Sequence, residues 1–136
     1  MALHREGKMK NALVTLLVIA ACFIAIPRSA DAHHGYAAFD TKAVVTLKGT
    51  VTDFHFVNPH SVVEFEVKND KGEIQDWKGE LTSPGHLAPN GWTATTLKPG
   101  DEIVITGWKA KNGSPSIWVT KIVLANGREM KLGSDT

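Results

Sequence analysis

The sequence predicts a mainly β domain, a small barrel of five to six strands. Three observations predict it. Apolar and polar residues alternate with period two from Ala43 onward. Turn-forming clusters at 58–59, 69–72, 98–101, 111–115 and 126–127 cut that alternation into short segments. One stretch, 82–98, breaks the strand pattern and sits between the third and fourth segments.

Each element follows from local chemistry. Val45, Leu47, Gly49 and Val51 share one face of a first strand, with Thr46, Lys48, Thr50 and Thr52 on the other. Gly49 suggests a bulge or bend there, as a curled strand requires. After Asn58-Pro59, Val63, Phe65 and Val67 alternate with Val62, Glu64 and Glu66 in a second strand. Asn69-Asp70-Lys71-Gly72 is a hairpin turn. A third strand runs from about Glu73 to Leu81, and its mixed alternation leaves open whether Ile74 or Trp77 chooses the buried face. Ser83 and Pro84 suit the cap and first turn of a short helix, and Thr93 could cap one further turn through Leu97. Lys98-Pro99-Gly100-Asp101 has the residues of a type II turn. Ile103, Ile105 and Gly107 mark a fourth strand. Ile117, Val119 and Lys121 begin a fifth, and Asn126-Gly127 turns the chain into a short last strand around Arg128 to Leu132. Three strands, a short helical connection and two or three more strands suit an OB-like barrel; a flattened β-sandwich is the competing architecture.

The amino terminus reads as an export signal. Arg5, Lys8 and Lys10 precede an uncharged run from Ala12 to Ile26, Pro27 breaks it, and Ala30-Asp31-Ala32 supplies small residues for cleavage before His33. The run is short of the roughly 20 apolar residues that span a bilayer, which disfavours an uncleaved anchor. Lipidation at Cys22 is disfavoured because the apolar run continues past it. The domains expected are thus a signal peptide, 1–32, a leader, 33–43, and the barrel, 44–136. The mature chain would be periplasmic, with no membrane segment.

Cleavage changes what chemistry remains. Eleven Lys and Arg then stand against twelve Asp and Glu, a net charge of −1. This is a poor footprint for nucleic acid. Cys22, the only cysteine, leaves with the signal, so no disulfide can form. No Gly-x-Ser-x-Gly elbow, phosphate loop or nucleophile–base set appears, which points away from an enzyme. Glu64, Glu66, Asp76 and Glu80 read as the solvent side of a sheet.

Five histidines remain. His33 would carry the new α-amine, and an amine and an imidazole on one residue can chelate a metal ion. His34 or a fold-provided imidazole would complete a three-nitrogen set suited to Cu(II). His60, held by Pro59 directly before the second strand, is the candidate from the fold. The expected metal ligands are therefore His33, His34 and His60, with copper the expected ion. His55 and His86 read as structural, and no spacing fits a closed zinc site. The alternative function is a non-catalytic module that binds an envelope protein or glycan through its loops and an exposed tryptophan, Trp92 or Trp108.

Ala32-His33-His34-Gly35-Tyr36, Val45-Thr46-Leu47-Lys48-Gly49-Thr50-Val51, Asn58-Pro59-His60, Trp77 with Glu80, Ser83-Pro84, Gly91-Trp92-Thr93, Leu97-Lys98-Pro99-Gly100-Asp101 and Gly107 together resemble a family of small exported bacterial proteins of unknown function. The resemblance spans nearly the whole mature chain. It implies periplasmic location and a β-barrel fold, and it implies no activity. An Asn is expected in relatives where this chain has His86, which argues against His86 as a shared ligand.

Overall fold

The computed structural model describes residues 35–133. The expected signal peptide and cleavage site, with His33 and His34, lie outside the described residues. A 3-10 turn, Tyr36–Ala38, opens the described part. It is followed by β1 (Phe39–His55), β2 (Val62–Lys68), β3 (Ile74–Glu80), a single-turn helix α1 (Pro84–Leu87), a second 3-10 turn at Ala88–Asn90, β4 (Glu102–Ala110), β5 (Ser116–Leu124) and β6 (Glu129–Met130).

The strands form one sheet in the order β3-β2-β1-β4-β5-β6, and β3 also pairs with β5, so the sheet closes into a ring. All pairings are antiparallel except β3–β5, where Lys78, Gly79 and Glu80 run parallel to Ser116, Ile117 and Trp118. The two neighbours of β1 are taken in turn. Its first part pairs with β4 and its last part with β2, and Thr50 meets both Glu102 and Glu66.

The alternation read from the sequence sets the inside of the ring. Val51, Phe65, Val63, Ile103, Ile105, Ile117, Val119 and Ile122 are buried, with Val45 and Leu47 packed against them. Burying each of these large side chains contributes about 1.5–3 kcal/mol relative to exposure. The connection after β3 then closes one opening of the ring, because Leu81, Leu87, Trp92 and Leu97 join the same core.

The expected turns are in place. The side-chain oxygen of Asn69 accepts from the backbone N–H of Lys71 and Glu73, both at 2.9 Å. Asp101 N–H donates to Lys98 O at 3.0 Å, and this turn docks on β1 through Gly100 N–H to Val51 O at 2.8 Å.

Several details differ from the sequence expectation. The strand begins at Phe39 rather than near Ala43, and a register irregularity between Asp40 and Val44 hides the alternation there. Gly49 sits at no bulge: the irregularities in β1 fall at Asp40/Val44 and Val51/Asp53. Its role is close approach, since a Cβ at Gly49 would stand 2.7 Å from Phe65 Cδ2 and 2.8 Å from Glu66 O. Trp77, opposite Phe65, takes the core side of β3, and Ile74 is 61% exposed. In β5 a bulge opposite Thr106/Gly107 shifts the inward set by one, so Ile122 is buried and Lys121 faces out to Glu129 at 2.9 Å. Ser83 and Pro84 do start a helix, without a side-chain cap bond. Thr93 caps no helix. Its N–H donates to Thr96 Oγ1 at 2.8 Å, and its carbonyl accepts from Thr96 N–H at 3.1 Å, in a single turn.

Candidate functional site

The sequence leaves one tryptophan in an unusual place. Directly opposed residues on neighbouring strands share a face of a sheet. Val44 on β1 opposes Trp108 on β4, Trp108 opposes Trp118 on β5, and Trp118 opposes Glu80 on β3. Val44 is 57% exposed, so this row points outward. Trp118 nevertheless keeps only 7% of its surface. It is covered from outside the ring rather than by the core.

The cover comes from two directions. The leader supplies Tyr36 and Phe39. The Tyr36 ring meets Trp108 edge-on at 5.6 Å and Trp118 edge-on at 6.3 Å, and Phe39 lies 6.0 Å from Trp118. Lys111 clips the same turn in place: its Nζ donates to Ala37 O at 2.8 Å and its backbone N–H to Ala38 O at 3.0 Å. From the other side comes His60, whose ring stands edge-on to Trp118 at 5.1 Å with an interplanar angle of 88°. The loop bearing His60 carries a cis Asn58–Pro59 bond. It is tied down by Ser61 N–H to Thr82 O at 3.2 Å and by Leu81 N–H to Ser61 O at 2.8 Å.

His60 also has an acidic neighbour. Glu80 Oε2 lies 3.7 Å from His60 Nδ1, and both side chains are about one-third exposed, 36% and 33%. The carboxylate occupies the Nδ1 side of the ring and leaves Nε2 on the other. The 3.7 Å separation is a charge contact, longer than a hydrogen bond. Two elements that the sequence singled out separately, Asn58-Pro59-His60 and Glu80, thus meet in space.

The other histidines take different roles. His55 Nε2 faces two carboxylates, Asp53 Oδ2 at 3.4 Å and Glu64 Oε1 at 3.9 Å, on the outer side of β1 and β2. Glu64 is itself bound by Lys78 Nζ at 2.8 Å. That hydrogen bond, and then the Glu64 charge, raise the Lys78 pKa above its ordinary value. His86 on α1 has its Nδ1 3.0 Å from Thr82 Oγ1. Among the described residues, no group of three or more His, Cys, Asp or Glu side chains is set to hold a metal ion. No helix among them is long and apolar enough to cross a membrane.

Of the two tryptophans considered as surface platforms, Trp92 must be corrected. It is 1% exposed, packs against Phe54 at 5.8 Å, and donates its Nε1–H to Lys131 O at 2.7 Å. It is a core plug with its polar atom satisfied. Trp108 is half-buried and lines an open cleft of 360 Å³ together with Tyr36, Trp118, Thr82, Thr120 and Leu132.

Comparison with protein families places the chain. A family model described as "Family of unknown function (DUF6152)" covers residues 21–117. The chain belongs to that family. The range that carries the family match includes Tyr36, His60, Glu80 and Trp108 and stops one residue before Trp118. No curated protein matches the chain.

Sequence reasoning missed Trp118, Phe39 and Lys111, and it read Glu80 as a solvent-side carboxylate. Their proximity to His60 and the leader arises from strand register, which brings together positions up to 82 residues apart. The available signal was Tyr36: an aromatic so soon after a histidine pair is a natural anchor for it.

Proposed function

We propose that the protein is an exported binding module that grips a transition-metal ion, copper above others, with the amine and imidazole of His33, with His34, and with His60. Export and cleavage before His33 are part of the proposal, because only cleavage frees the α-amine. We also propose that the ring of strands is an OB-like barrel. The parallel β3–β5 closure and the short helical connection between β3 and β4 support that reading.

One observation carries the metal reading: Tyr36 and His60 lean on the same indole, Trp118. His34 is two residues from Tyr36, so its backbone lies within about 7 Å of the Tyr36 backbone by chain geometry alone. The Tyr36 anchor and the Lys111 clip hold the start of the described chain against the indole that His60 also meets. In this reading Glu80, 3.7 Å from Nδ1, supplies a nearby negative charge on the side of the ring away from Nε2. A set of nitrogens suits Cu(II), which also tops the first-row affinity order.

The test is a copper titration of the mature protein, followed by calorimetry and electron paramagnetic resonance. Two variants are compared with it: one with a single residue added before His33, and His60→Ala. Both are expected to weaken binding at least tenfold and to change the spectrum. Equal affinity and an equal spectrum for the extended variant would remove the chelating amine and with it the proposal. Amino-terminal sequencing of the exported product supplies the second check, since a start at any residue other than His33 overturns the reading.

A further inference from the structure

The outer margin of β3 is paired along only part of its length. Leu81 N–H donates to Ser61 O at 2.8 Å and Asn69 N–H to Glu73 O at 3.0 Å, so the odd-numbered residues of this stretch turn their backbone groups toward β2. The even-numbered residues turn theirs the other way, and Lys78 N–H accordingly donates to Pro115 O at 3.0 Å. On that side β5 accompanies Lys78, Gly79 and Glu80, and among the described residues no strand accompanies Ile74 or Asp76. Their N–H and C=O groups form an open edge, the template on which an extended chain can add as a further strand. An open cleft of 620 Å³ runs beside it, lined by Asp76, Trp77 and the segment Ser114, Pro115 and Ser116.

The side chains along this edge select the segment that suits it. Trp77 takes the core side, so Ile74, Asp76 and Lys78 face out. Lys78 is opposed by Glu64 and bonded to it at 2.8 Å. Asp76 is opposed by Glu66, and like charges directly opposed destabilise a sheet. Among the described residues neither Glu66 nor Asp76 has an ion-pair partner. Ile74 is 61% exposed. A strand laid antiparallel on this edge sets one side chain directly beside Asp76 and another, two residues later, beside Ile74. A cation at the first position answers Asp76 and Glu66 together. An aliphatic group at the second covers Ile74.

We propose that the free edge of β3 docks an extended segment of a partner protein, antiparallel to Ile74–Trp77, in which a lysine or arginine is followed two residues later by an aliphatic side chain. The inference is independent of the metal reading, since it uses neither the amino terminus nor His60.

The experiment is an NMR titration of the isotope-labelled mature protein with the peptide acetyl-Thr-Lys-Thr-Val-Thr-amide. Binding is expected to shift the backbone amides of Ile74 and Asp76 and to slow their hydrogen exchange, while Gln75, which faces β2, keeps its exchange rate. Replacing the peptide's lysine by glutamate should weaken binding about tenfold. Methylating the lysine's backbone nitrogen removes a donor that faces β3 and should abolish binding. Methylating the backbone nitrogen of the threonine after it, which faces solvent, should leave most of the affinity. Asp76→Lys alters an exposed side chain, should fold as the wild type does, and should reverse the preference toward the glutamate peptide. Four results would each overturn the proposal: no shift at Ile74 or Asp76, equal binding of the glutamate peptide, equal binding of the two methylated peptides, or an unchanged preference in Asp76→Lys.

Discussion

Trp92 and Trp118 are both nearly invisible to solvent, yet they are hidden in opposite ways. Trp92 plugs the inside of the ring. Its neighbours are the apolar core, and its indole N–H is satisfied by the Lys131 carbonyl. Trp118 faces outward and is roofed by pieces of chain laid over it: the leader turn on one side and the His60 loop on the other. The first kind of burial is part of what makes the chain fold. The second kind brings together segments that the folded ring does not otherwise need to join. That difference separates stability from candidate function, and it can be probed one residue at a time.

The largest effect should come from the inside. Trp92→Ala removes a large core side chain and leaves the Lys131 carbonyl without its partner, so a loss of about 3–5 kcal/mol is expected in urea unfolding. A loss below 1 kcal/mol would show that Trp92 is not a core plug. Gly107→Ala is next. A Cβ there would collide with the Trp118 carbonyl across the β4–β5 bulge, and overpacking of that kind costs about 1–3 kcal/mol. Because it displaces the strand under Trp118, it should also change the Trp118 environment, which near-ultraviolet circular dichroism would report.

The outer roof should respond differently. Tyr36→Ala is expected to cost only about 1 kcal/mol, the scale of an aromatic pair. It should uncover Trp118 in doing so, seen as a red shift and stronger acrylamide quenching of tryptophan fluorescence. A loss as large as that of Trp92→Ala would erase the distinction between the two kinds of burial. The smallest effect concerns the outer ion pair. The Lys78 pKa is raised by Glu64, so this pair contributes below the ordinary lysine value of 10.5 and its contribution fades as pH rises through the raised value. Glu64→Gln should return Lys78 to its ordinary range in an NMR titration, with little change in stability near neutral pH because Lys78 is exposed.

The inside of the molecule was legible in the sequence because its signals are local. The alternation of Val45, Leu47 and Val51, the turn at 98–101 and the Asn69 hairpin each need only neighbouring residues. Two of the places where local rules failed are irregularities of strand pairing. The one in β5 put Ile122 rather than Lys121 inside, and the irregularity at Asp40/Val44 concealed the start of β1. The candidate site was less legible. His60 and Trp108 could be singled out by their settings, but what each touches is decided by which strands pair and in which register. Trp92 was misread as a surface candidate because nothing local says that the connection 82–98 folds back to close the ring.

The row of opposed residues that carries Trp118 has one more property. Traced onward from Glu80, it passes to Val62 and then to His55, which lies on β1 again, eleven positions beyond the Val44 where it began. The circuit is a spiral, as closure of a tilted sheet demands. A 17-residue strand laid straight would hold its ends about 55 Å apart. Wound through one pitch of this spiral, its beginning at Phe39 and the loop that follows its end arrive at a single indole. The geometry that shuts the ring is therefore also what delivers the two ends of its longest strand to one address.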